Sequence, residues 1–539
     1  MMGWLSYMRA NRRGSLFLVS VLLVFLTACT SLPPASVQPP SSAIAASTDT
    51  ALGRAAAAAM VAASAPEGQS GFRPIPQASV ALDARLTLIK RAQSSLDLQY
   101  YLLGNDEVGH LVLRELRDAA NRGVRVRLLI DDFYTTGMDR LLLGLAAHPN
   151  VEVRLFNPFG PGRVSTGGRL LSLASDFKRL NHRMHNKLFV ADGAIVVAGG
   201  RNLADGYFLR DQGANFIDFD VLAVGPIVPR LTDIFDLYWN SPLVRDIETV
   251  ARITESPADL REAFEAETAA YARRAMSPPP ALDSYGVPTV GNEIDANLPH
   301  LIWAPATAYA DGAGKALDGD RTGRAMQSAA YHNLETFQTA RSEVMLFSPY
   351  FVPGEPGMKR LQVARDHNVT VRIVTNSMAS TDEPLAALAY ERYRVPMLKM
   401  GVELYELSEQ ELRKEDDMRH YFGSSRAQLH AKLGIIDRKT LIIGSTNLDQ
   451  RSVTTNTELA VTIHSPELAQ RTLKWFNSEN PGDARGVYKL RLSDDGKKLQ
   501  WIALHGERGS ELVDEEPEVD RWLRFKLFLM STFVPEDWL

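Results

Sequence analysis

The stretch His185–Asn202 reads HNKLFVADGAIVVAGGRN, and a second stretch, His430–Asn447, repeats its pattern as HAKLGIIDRKTLIIGSTN. Each copy contains a histidine, a lysine two residues later, an aspartate five residues after the lysine, an apolar run, a pair of small residues and an asparagine. The two histidines are 245 residues apart. Two complete copies indicate an internal duplication, and they predict two related halves that each contribute to one site.

The first copy has the pattern of a tight β-hairpin. Alternation along a strand places His185 and Lys187 side by side on one face. Asp192 lies in an Ala-Asp-Gly turn, and the apolar run after it predicts the antiparallel return strand. The small pair Gly199-Gly200 allows another group to approach the backbone, and Asn202 is expected at the edge of the same site.

The second copy predicts the same arrangement in the other half. Lys432 follows His430 by two residues, Asp437 occupies the turn, and Asn447 ends the copy. We therefore expect two histidines, two lysines and two asparagines to converge on one space.

Strand and helix patterns around the two copies also repeat. The first half has patterns typical of strand, helix, strand and strand at Ser95–Leu103, Val108–Ala120, Val124–Ile130 and Val151–Phe156. The second half repeats them at Val344–Val352, Gly357–Asp366, Val369–Thr375 and Val402–Leu407. This alternation predicts an α/β fold made of two pseudo-symmetric sandwich halves that share one active site.

Composition shifts divide the chain into six parts. They are a signal peptide (1–29), a flexible tether rich in Ala, Ser and Pro (30–70), a first half (71–242), a helical connector (243–300), a second half (301–480) and a C-terminal module (481–539). The C-terminal module has the pattern of a hairpin, Val487–Leu492 and Leu499–Leu504, followed by a helix at Val519–Met530. We expect this module to cap a sheet edge.

The N-terminus has the features of an exported lipoprotein. A basic start precedes the apolar run Leu16–Leu26, which is too short to span a bilayer comfortably. The run leads into Leu26-Thr27-Ala28-Cys29, which resembles a lipobox and contains the only cysteine of the chain. Lipidation of Cys29 would anchor the protein to the periplasmic face of a bacterial envelope. Thr30 after the cysteine favours the outer membrane over the inner membrane.

The charge balance argues against a nucleic-acid-binding protein. The chain has 59 Lys and Arg against 64 Asp and Glu, which gives a net charge of −5. Bulk nucleic-acid binding favours a basic domain, so no nucleic-acid partner is expected. The oligomeric state is not indicated by the sequence.

The paired residues favour phosphodiester chemistry over metal binding. A metal site needs neutral imidazoles and further ligands, and nearby ammonium groups repel a cation; we therefore expect no metal and no cofactor. One histidine would attack phosphorus to give a covalent phosphohistidine, while the other protonates the departing alkoxide and then deprotonates the acceptor. The lysines and asparagines would donate to the phosphoryl oxygens.

The two copies resemble the signature of the phospholipase D superfamily, HxKxxxxD followed by GG or GS and then xN. The string LNHRMHNKLFVADGAIVVAGGRNLADGYF is similar to the bacterial cardiolipin synthase C-type branch, and GSTNLDQRSVTTNTELAV is similar to cardiolipin synthases. The resemblance covers nearly the whole chain after the N-terminal tail. It implies that His185 is the nucleophile and that His430 is the acid and base.

Each imidazole also needs an acceptor that fixes its tautomer and orientation. The resemblance implies Glu458 for the second half. Alignment of the matching strand, FIDFDVLAVGP, gives Asp218 for the first half, with Asp220 on the same face as the alternative. The turn residues Asp192 and Asp437 are expected to brace their hairpins, and Arg451 and Ser452 are expected to brace the Asn447 loop.

A segment before the first copy, Pro161–Met184, combines arginines and lysine with the apolar residues Leu170, Leu171, Leu173, Phe177 and Leu180. Two interpretations stay open. The segment forms a basic amphipathic element that contacts anionic lipid, or it forms an ordinary surface helix with its apolar face in the core.

The resemblance implies phosphatidyl transfer to a lipid alcohol, which would make cardiolipin from phospholipid substrates. Hydrolysis by the same residues, with water as the acceptor, is the second hypothesis. A nuclease is a third, disfavoured by the tether and the charge. A lipoprotein that only binds lipid is a fourth, and the complete set of histidines and lysines argues against it.

Overall fold

The computed structural model describes residues 40–160, 162–272, 278–315, 328–414, 425–476, 485–505 and 509–519, and the single residues 522, 524, 525 and 529. The signal peptide, Cys29 and the start of the tether lie outside the described residues, as does most of the expected C-terminal helix. In the part of the chain that the structure describes, no helix is long and apolar enough to cross a membrane.

The first half contains strands and helices in alternation. Its strands are β1 (Gln69–Ile75), β2 (Ser95–Tyr100), β3 (Arg125–Asp131), β4 (Val151–Phe156), β5 (Leu188–Ala191), β6 (Ile195–Gly199), β7 (Ala214–Ile217), β8 (Asp220–Val224) and β9 (Val244–Asp246). Its helices, with those of the connector, are α1 (Ala51–Ala62), α2 (Ala78–Arg91), α3 (Glu107–Asn121), α4 (Asp139–Ala146), α5 (Thr166–Ser175), α6 (Phe177–Leu180), α7 (Ile227–Trp239), α8 (Ile247–Val250), α9 (Pro257–Ala272) and α10 (Val290–Asp295).

The second half repeats this plan. Its strands, with those of the C-terminal module, are β10 (Ile302–Ala310), β11 (Glu343–Phe347), β12 (Thr370–Asn376), β13 (Glu403–Leu407), β14 (Arg426–Leu429), β15 (Leu433–Ile436), β16 (Thr440–Gly444), β17 (Leu459–His464), β18 (Arg485–Leu492), β19 (Leu499–His505) and β20 (Ser510–Val513). Its helices are α11 (Ala329–Gln338), α12 (Gly354–Asp366), α13 (Pro384–Lys399), α14 (Glu409–Lys414), α15 (Gln450–Thr454) and α16 (Pro466–Trp475).

The two halves form one continuous mixed sheet with matching strand orders. The first half has the order β9-β4-β3-β2-β5-β6-β8-β1, in which β2, β3 and β4 are parallel. The second half has the order β10-β17-β16-β15-β11-β12-β13, in which β11, β12 and β13 are parallel. Antiparallel pairing of β1 with β10 joins them. The expected pair of pseudo-symmetric α/β halves is therefore confirmed, with the sheet running through both.

The halves also share a hydrophobic core. Phe72, Leu188 and Phe219 of the first half lie in one cluster of buried residues with Phe347 and Leu433 of the second half. Separate clusters pack the opposite face of each half of the sheet. Alternate side chains of a strand point to opposite faces, so each strand contributes both to its own outer core and to the shared one.

The prediction of a flexible tether over 30–70 is wrong for residues 51–62. This run forms α1, whose N-terminus is capped by the Thr50 hydroxyl accepting the N–H of Gly53. Alanine is the strongest helix former, and Leu52, Ala55 and Ala59 are buried against the first half. An alanine-rich composition is compatible with a flexible linker, but here the alanines form a helix that packs on the first half.

The connector and the C-terminal module are both attached to the sheet. Strand β9 pairs with β4, and α9 packs on α4 of the first half. The expected C-terminal hairpin forms as β18 and β19, and β18 pairs with β13 at the edge of the second-half sheet. The module therefore caps a sheet edge, as expected from its sequence.

Replacement of Leu52 by alanine tests the packing of α1. Leu52 is fully buried, so its truncation is expected to lower the free energy of unfolding by about 2–4 kcal/mol. Denaturant titration measures this change. Val61, on the same helix, is 80% exposed, and Val61→Ala is the matched control with an expected change within about 0.5 kcal/mol. Equal, small effects of both substitutions would contradict the packed helix and restore the flexible tether.

Candidate active site

Two parallel strand contacts between the halves build the site. Strand β7 of the first half pairs in parallel with β14 of the second half, and their last residues, Ile217 and Leu429, are partners. An isolated parallel bridge joins Met184 to Thr457 in the same way. The residues that follow these two pairs are Asp218 and His430, and His185 and Glu458, respectively. Because the chains run parallel and in register, each histidine meets the acidic residue of the other half.

The acidic residues therefore orient the histidines crosswise. The His185 Nδ1 lies 3.0 Å from Glu458 Oε2, and the His430 Nδ1 lies 2.6 Å from Asp218 Oδ2. Pairing within each half, which the sequence led us to expect, is wrong. The preference for Asp218 over Asp220 agrees with the structure, because Asp220 forms ion pairs with Arg85 and Arg201 instead.

The small pairs at the ends of β6 and β16 make room for these carboxylates. A Cβ on Gly200 would lie 2.1 Å from Asp218 Oδ1, so this position has to be glycine while the aspartate stays in place. Ser445 is its counterpart, and its hydroxyl donates to the longer side chain of Glu458. Ser452 donates to the other oxygen of Glu458 at 2.8 Å.

The turn aspartates fix the positions of the two hairpins through bonds to the backbone of the sheet. Asp192 accepts the backbone N–H groups of Gln93, Ser94 and Ser95, at the start of β2. Asp437 accepts those of residues 341–343, at the start of β11. Asp192 has a φ of 52°, and Gly193 after it has a φ of 60°, which is the geometry of the tight hairpin turn. Each aspartate thus ties its hairpin to the neighbouring central strand.

Both lysines lie buried beside their histidines. Strand β5 starts at Leu188, so His185 and Lys187 precede the strand on which the sequence analysis placed them. The Lys187 ammonium donates to the His185 carbonyl at 2.6 Å, and Lys432 donates to the His430 carbonyl at the same distance. An ammonium has three N–H donors, so each lysine retains donors for a substrate oxygen.

Aromatic side chains that the sequence analysis missed complete the walls. The Tyr101 ring packs edge-on against His185 with centroids 5.0 Å apart, and Lys187 lies 5.3 Å over the same ring. The Tyr207 ring packs edge-on against His430 at 4.9 Å, and its hydroxyl is 3.4 Å from the His430 Nε2. No pattern around either tyrosine distinguishes it from other core aromatics, so only the fold reveals them.

The two asparagines have different surroundings. Asn202 donates to the Tyr207 hydroxyl at 2.8 Å and accepts the Leu102 N–H at 3.2 Å, so it acts through Tyr207 on the histidine of the other half. The backbone N–H of Asn447 donates to Ser452, which agrees with the bracing expected of that serine. Arg451 instead donates to the side chain and the carbonyl of Asn181, so it links the two halves and does not brace the Asn447 loop.

The electrostatics of the site favour an anion. The pKa of His185 is lowered to about 4 and that of His430 to about 3. Burial is the largest cause, Lys187 and Lys432 act in the same direction, and Glu458 and Asp218 oppose the shift. Burial also lowers the pKa of Lys432 to about 8 and that of Lys187 well below its ordinary value. Each lysine acts on both histidines, as expected for one shared pocket. Buried positive groups that repel one another are stabilised by a bound anion.

The segment before the first histidine fits neither interpretation in full: Leu180 is buried in the core, as the second interpretation expects, but other apolar residues are not. Arg163, Arg169 and Arg183 are buried, and they pair with Asp131, Asp132 and Asp139 at the ends of β3 and α4. The apolar residues Leu170 and Leu171 of α5 face outward. The first interpretation, a basic surface, is wrong for these three arginines, because they pair with Asp131, Asp132 and Asp139 inside the protein.

The site lacks the donor set of a metal centre. Within the described ranges, no group of three or more His, Cys, Asp or Glu residues is placed to hold a metal ion. The imidazole Nδ1 atoms are occupied by carboxylates, and two ammonium groups lie beside them. The arrangement suits a nucleophile, an acid and a base around one phosphoryl group.

Comparison with known proteins assigns the class. The family model described as "Cardiolipin synthase, PLD-like domain" matches residues 86–239 and 334–479, one stretch in each half, and the chain belongs to this phospholipase D-like family. It is 36% identical over 489 residues to cardiolipin synthase C of Escherichia coli (strain K12), which covers 90% of this chain and 99% of that protein.

Two further comparisons extend this result. The chain is 25% identical over 415 residues to a cardiolipin synthase of Staphylococcus aureus (strain Mu50), covering 77% of this chain and 67% of that one. The crystal structure of phosphatidylserine synthase from Haemophilus influenzae Rd KW20 superposes with a TM-score of 0.53 at 12% identity, covering 90% of this chain and 97% of that one. The latter likeness shows the fold.

The crosswise pairs predict the effect of removing each carboxylate. Asp218→Asn and Glu458→Gln are each expected to lower kcat by about 10²–10⁴-fold while the chain stays folded, because an amide does not stabilise the imidazolium. Steady-state kinetics and circular dichroism measure both. Proton NMR shows which carboxylate pairs with His430. The low-field Nδ1–H signal of this histidine should vanish in Asp218→Asn and persist in Glu458→Gln. The reverse result would restore pairing within each half.

Proposed function

We propose that this protein is a phosphatidyltransferase that makes cardiolipin by transferring a phosphatidyl group from one phospholipid to the alcohol headgroup of another. The observation that carries the proposal is the pair of buried imidazoles, each held by a carboxylate of the other half and each flanked by a buried lysine. The likeness to cardiolipin synthases in two bacteria supports the choice of lipid substrates.

The first step forms a covalent intermediate. The neutral His185 Nε2 attacks phosphorus, a P–N bond forms, and the P–O bond to the departing alcohol breaks. His430 donates its Nε2 proton to that alcohol oxygen. The phosphodiester anion offsets the field of Lys187 and Lys432 and raises the pKa of His430, so the imidazole carries a proton when substrate is bound.

The second step regenerates the enzyme. The hydroxyl of the acceptor lipid loses its proton to His430 and attacks phosphorus, a P–O bond forms, and the P–N bond to His185 breaks. Glu458 and Asp218 stabilise the positive imidazole rings that form in turn. Lys187 and Lys432 donate to the phosphoryl oxygens, which carry the charge of the transition state.

Hydrolysis is the second candidate, because water in place of the lipid alcohol gives phosphatidic acid with the same residues. The acceptor decides between the two outcomes, so exclusion of water from the site favours transfer. The burial of the two histidines supports this preference: His185 is 6% exposed and His430 is 4% exposed.

We further propose that the protein works at the membrane to which acylated Cys29 anchors it, at the periplasmic face and with the outer membrane favoured over the inner. Only ten residues lie between Cys29 and the first described residue, and the backbone N–H groups of Ser41 and Ala43 donate to Asn240 and Asp236 of α7. The body is therefore held close to its anchor rather than on a long tether.

Removal of either histidine tests the proposed function. His185→Ala and His430→Ala are each expected to lower activity by at least about 10⁴-fold, because nucleophile and acid act as one unit. Mass spectrometry of lipids from a host that lacks cardiolipin measures the product. New cardiolipin with the natural chain, and none with either variant, is the expected outcome.

The same experiment separates the alternatives. Accumulation of phosphatidic acid without cardiolipin would establish the hydrolase, and DNA cleavage with unchanged lipids would establish a nuclease. The control is His367→Ala, an exposed histidine at the end of α12, which should leave the lipid profile unchanged. Full activity of both active-site histidine variants would remove the mechanism.

Loss of the anchor is expected to separate attachment from chemistry. Cys29→Ala removes the acylation site, so the body should leave the membrane fraction while its turnover of detergent-dispersed lipid stays within about twofold. Cell fractionation and an assay in mixed micelles measure the two properties. Retention of the variant in the membrane fraction would show that something other than Cys29 anchors the body.

A further inference from the structure

Helix α5 and the loop before it, near the active site, turn large apolar side chains to the outside. Val164 of the loop and Leu170 and Leu171 of the helix are 62%, 62% and 66% exposed. Single exposed apolar residues are ordinary on a protein surface, but a cluster of large ones marks a contact site. These residues, with Tyr134, which is 45% exposed, are called the outer leucine face below.

The orientation of this helix is imposed by buried ion pairs. On the inner side, Arg163 donates to Asp132 and Asp139, and Arg169 donates to the Phe133 carbonyl at 2.9 Å. A Cβ on Gly168 would lie 2.1 Å from the Gly162 carbonyl oxygen, so the start of α5 packs directly on the preceding loop. The helix cannot roll over to bury its leucines without breaking buried charge pairs.

The outer leucine face is continuous with the active site. Tyr134 follows Phe133, to which Arg169 is bonded, and its ring packs edge-on against Tyr101 with centroids 5.3 Å apart. Tyr101 in turn packs on His185 at 5.0 Å. A path of two tyrosine rings therefore leads from the exposed face to the nucleophile.

The apolar side chains of the face, more than its charges, suit a phospholipid surface. Lys178 is exposed in the same segment, but the exposed Asp382 and Glu383 act electrostatically on Tyr134. Large exposed apolar side chains linked to a pocket that suits a phosphodiester match the acyl chains and headgroups of a bilayer. A second copy of the protein would need no such link between this face and the pocket.

We propose that the outer leucine face inserts into the surface of the phospholipid bilayer and delivers the lipid headgroup past Tyr134 and Tyr101 to His185. The inference rests on the proposed function for its substrate, but the contact with the bilayer is a property of the surface alone. The anchor brings the body to the membrane, and this face sets the orientation in which the pocket opens toward lipid.

Paired charge substitutions in the full chain test the insertion. Leu170→Asp/Leu171→Asp is expected to lower turnover on vesicles of phosphatidylglycerol and phosphatidylethanolamine by at least about tenfold, because acidic side chains oppose insertion. Turnover of monomeric dihexanoyl phosphatidylglycerol should stay within about twofold, which excludes a folding defect. Leu237→Asp/Val363→Asp is the matched control, since these helical residues are 53% and 54% exposed elsewhere, and it should leave both rates unchanged.

A second measurement needs no turnover. In vesicles with brominated acyl chains, tryptophan fluorescence of the Leu171→Trp chain should be quenched beyond that of the natural chain, and that of the Val363→Trp chain should not. If the Leu171→Trp chain were quenched but no chain, including the natural one, turned over lipid, the proposed function would be refuted and the contact with the bilayer would stand. Equal quenching in both tryptophan chains, or an unchanged vesicle rate in the paired leucine variant, would overturn the inference. If the paired leucine variant had a lower molecular mass in solution than the natural protein and an unchanged turnover on vesicles, the face would be a contact between copies of the protein instead.

Discussion

The register between the two halves is the constraint on which the active site depends. Ile217 pairs with Leu429 and Met184 pairs with Thr457, both in parallel. The residue after each of these four is one of the two proposed catalytic histidines or the carboxylate that holds it. A shift by one residue would turn each side chain to the opposite face. The shared core and the β1–β10 junction hold the halves in this register, so catalysis and the association of the halves have one structural cause.

Burial gives the site its chemical character at an energetic cost. Two imidazoles and two ammonium groups are taken out of water beside the carboxylates of Glu458 and Asp218. The depressed pKa values of His185 and His430 keep both rings neutral, as the proposed nucleophile requires. Protonation of either ring adds a positive charge to this buried site, and a bound anion offsets that charge, so in the proposed mechanism binding of a phosphodiester and protonation of the general acid are coupled.

Sequence patterns predicted much of the local structure. The hairpin turns at Asp192 and Asp437, the strands before them and the C-terminal hairpin all follow from alternation and turn residues. Composition failed where packing decided the outcome. Residues 51–62 have the composition of a linker, but Leu52 and its alanines are buried as a helix. The arginines of 163–183 have the pattern of a basic surface, but Asp131, Asp132 and Asp139 draw them inside.

The sequence by itself determined which residues are proposed to carry the chemistry, because the His, Lys, Asp and Asn spacing is local and occurs twice. Tertiary structure decided which groups act on one another. His185 and Glu458 are 273 residues apart, and His430 and Asp218 are 212 apart, so symmetry of the sequence alone suggested pairing within each half. Contacts across such separations depend on strand register and a common core, and neither property is encoded in any short stretch.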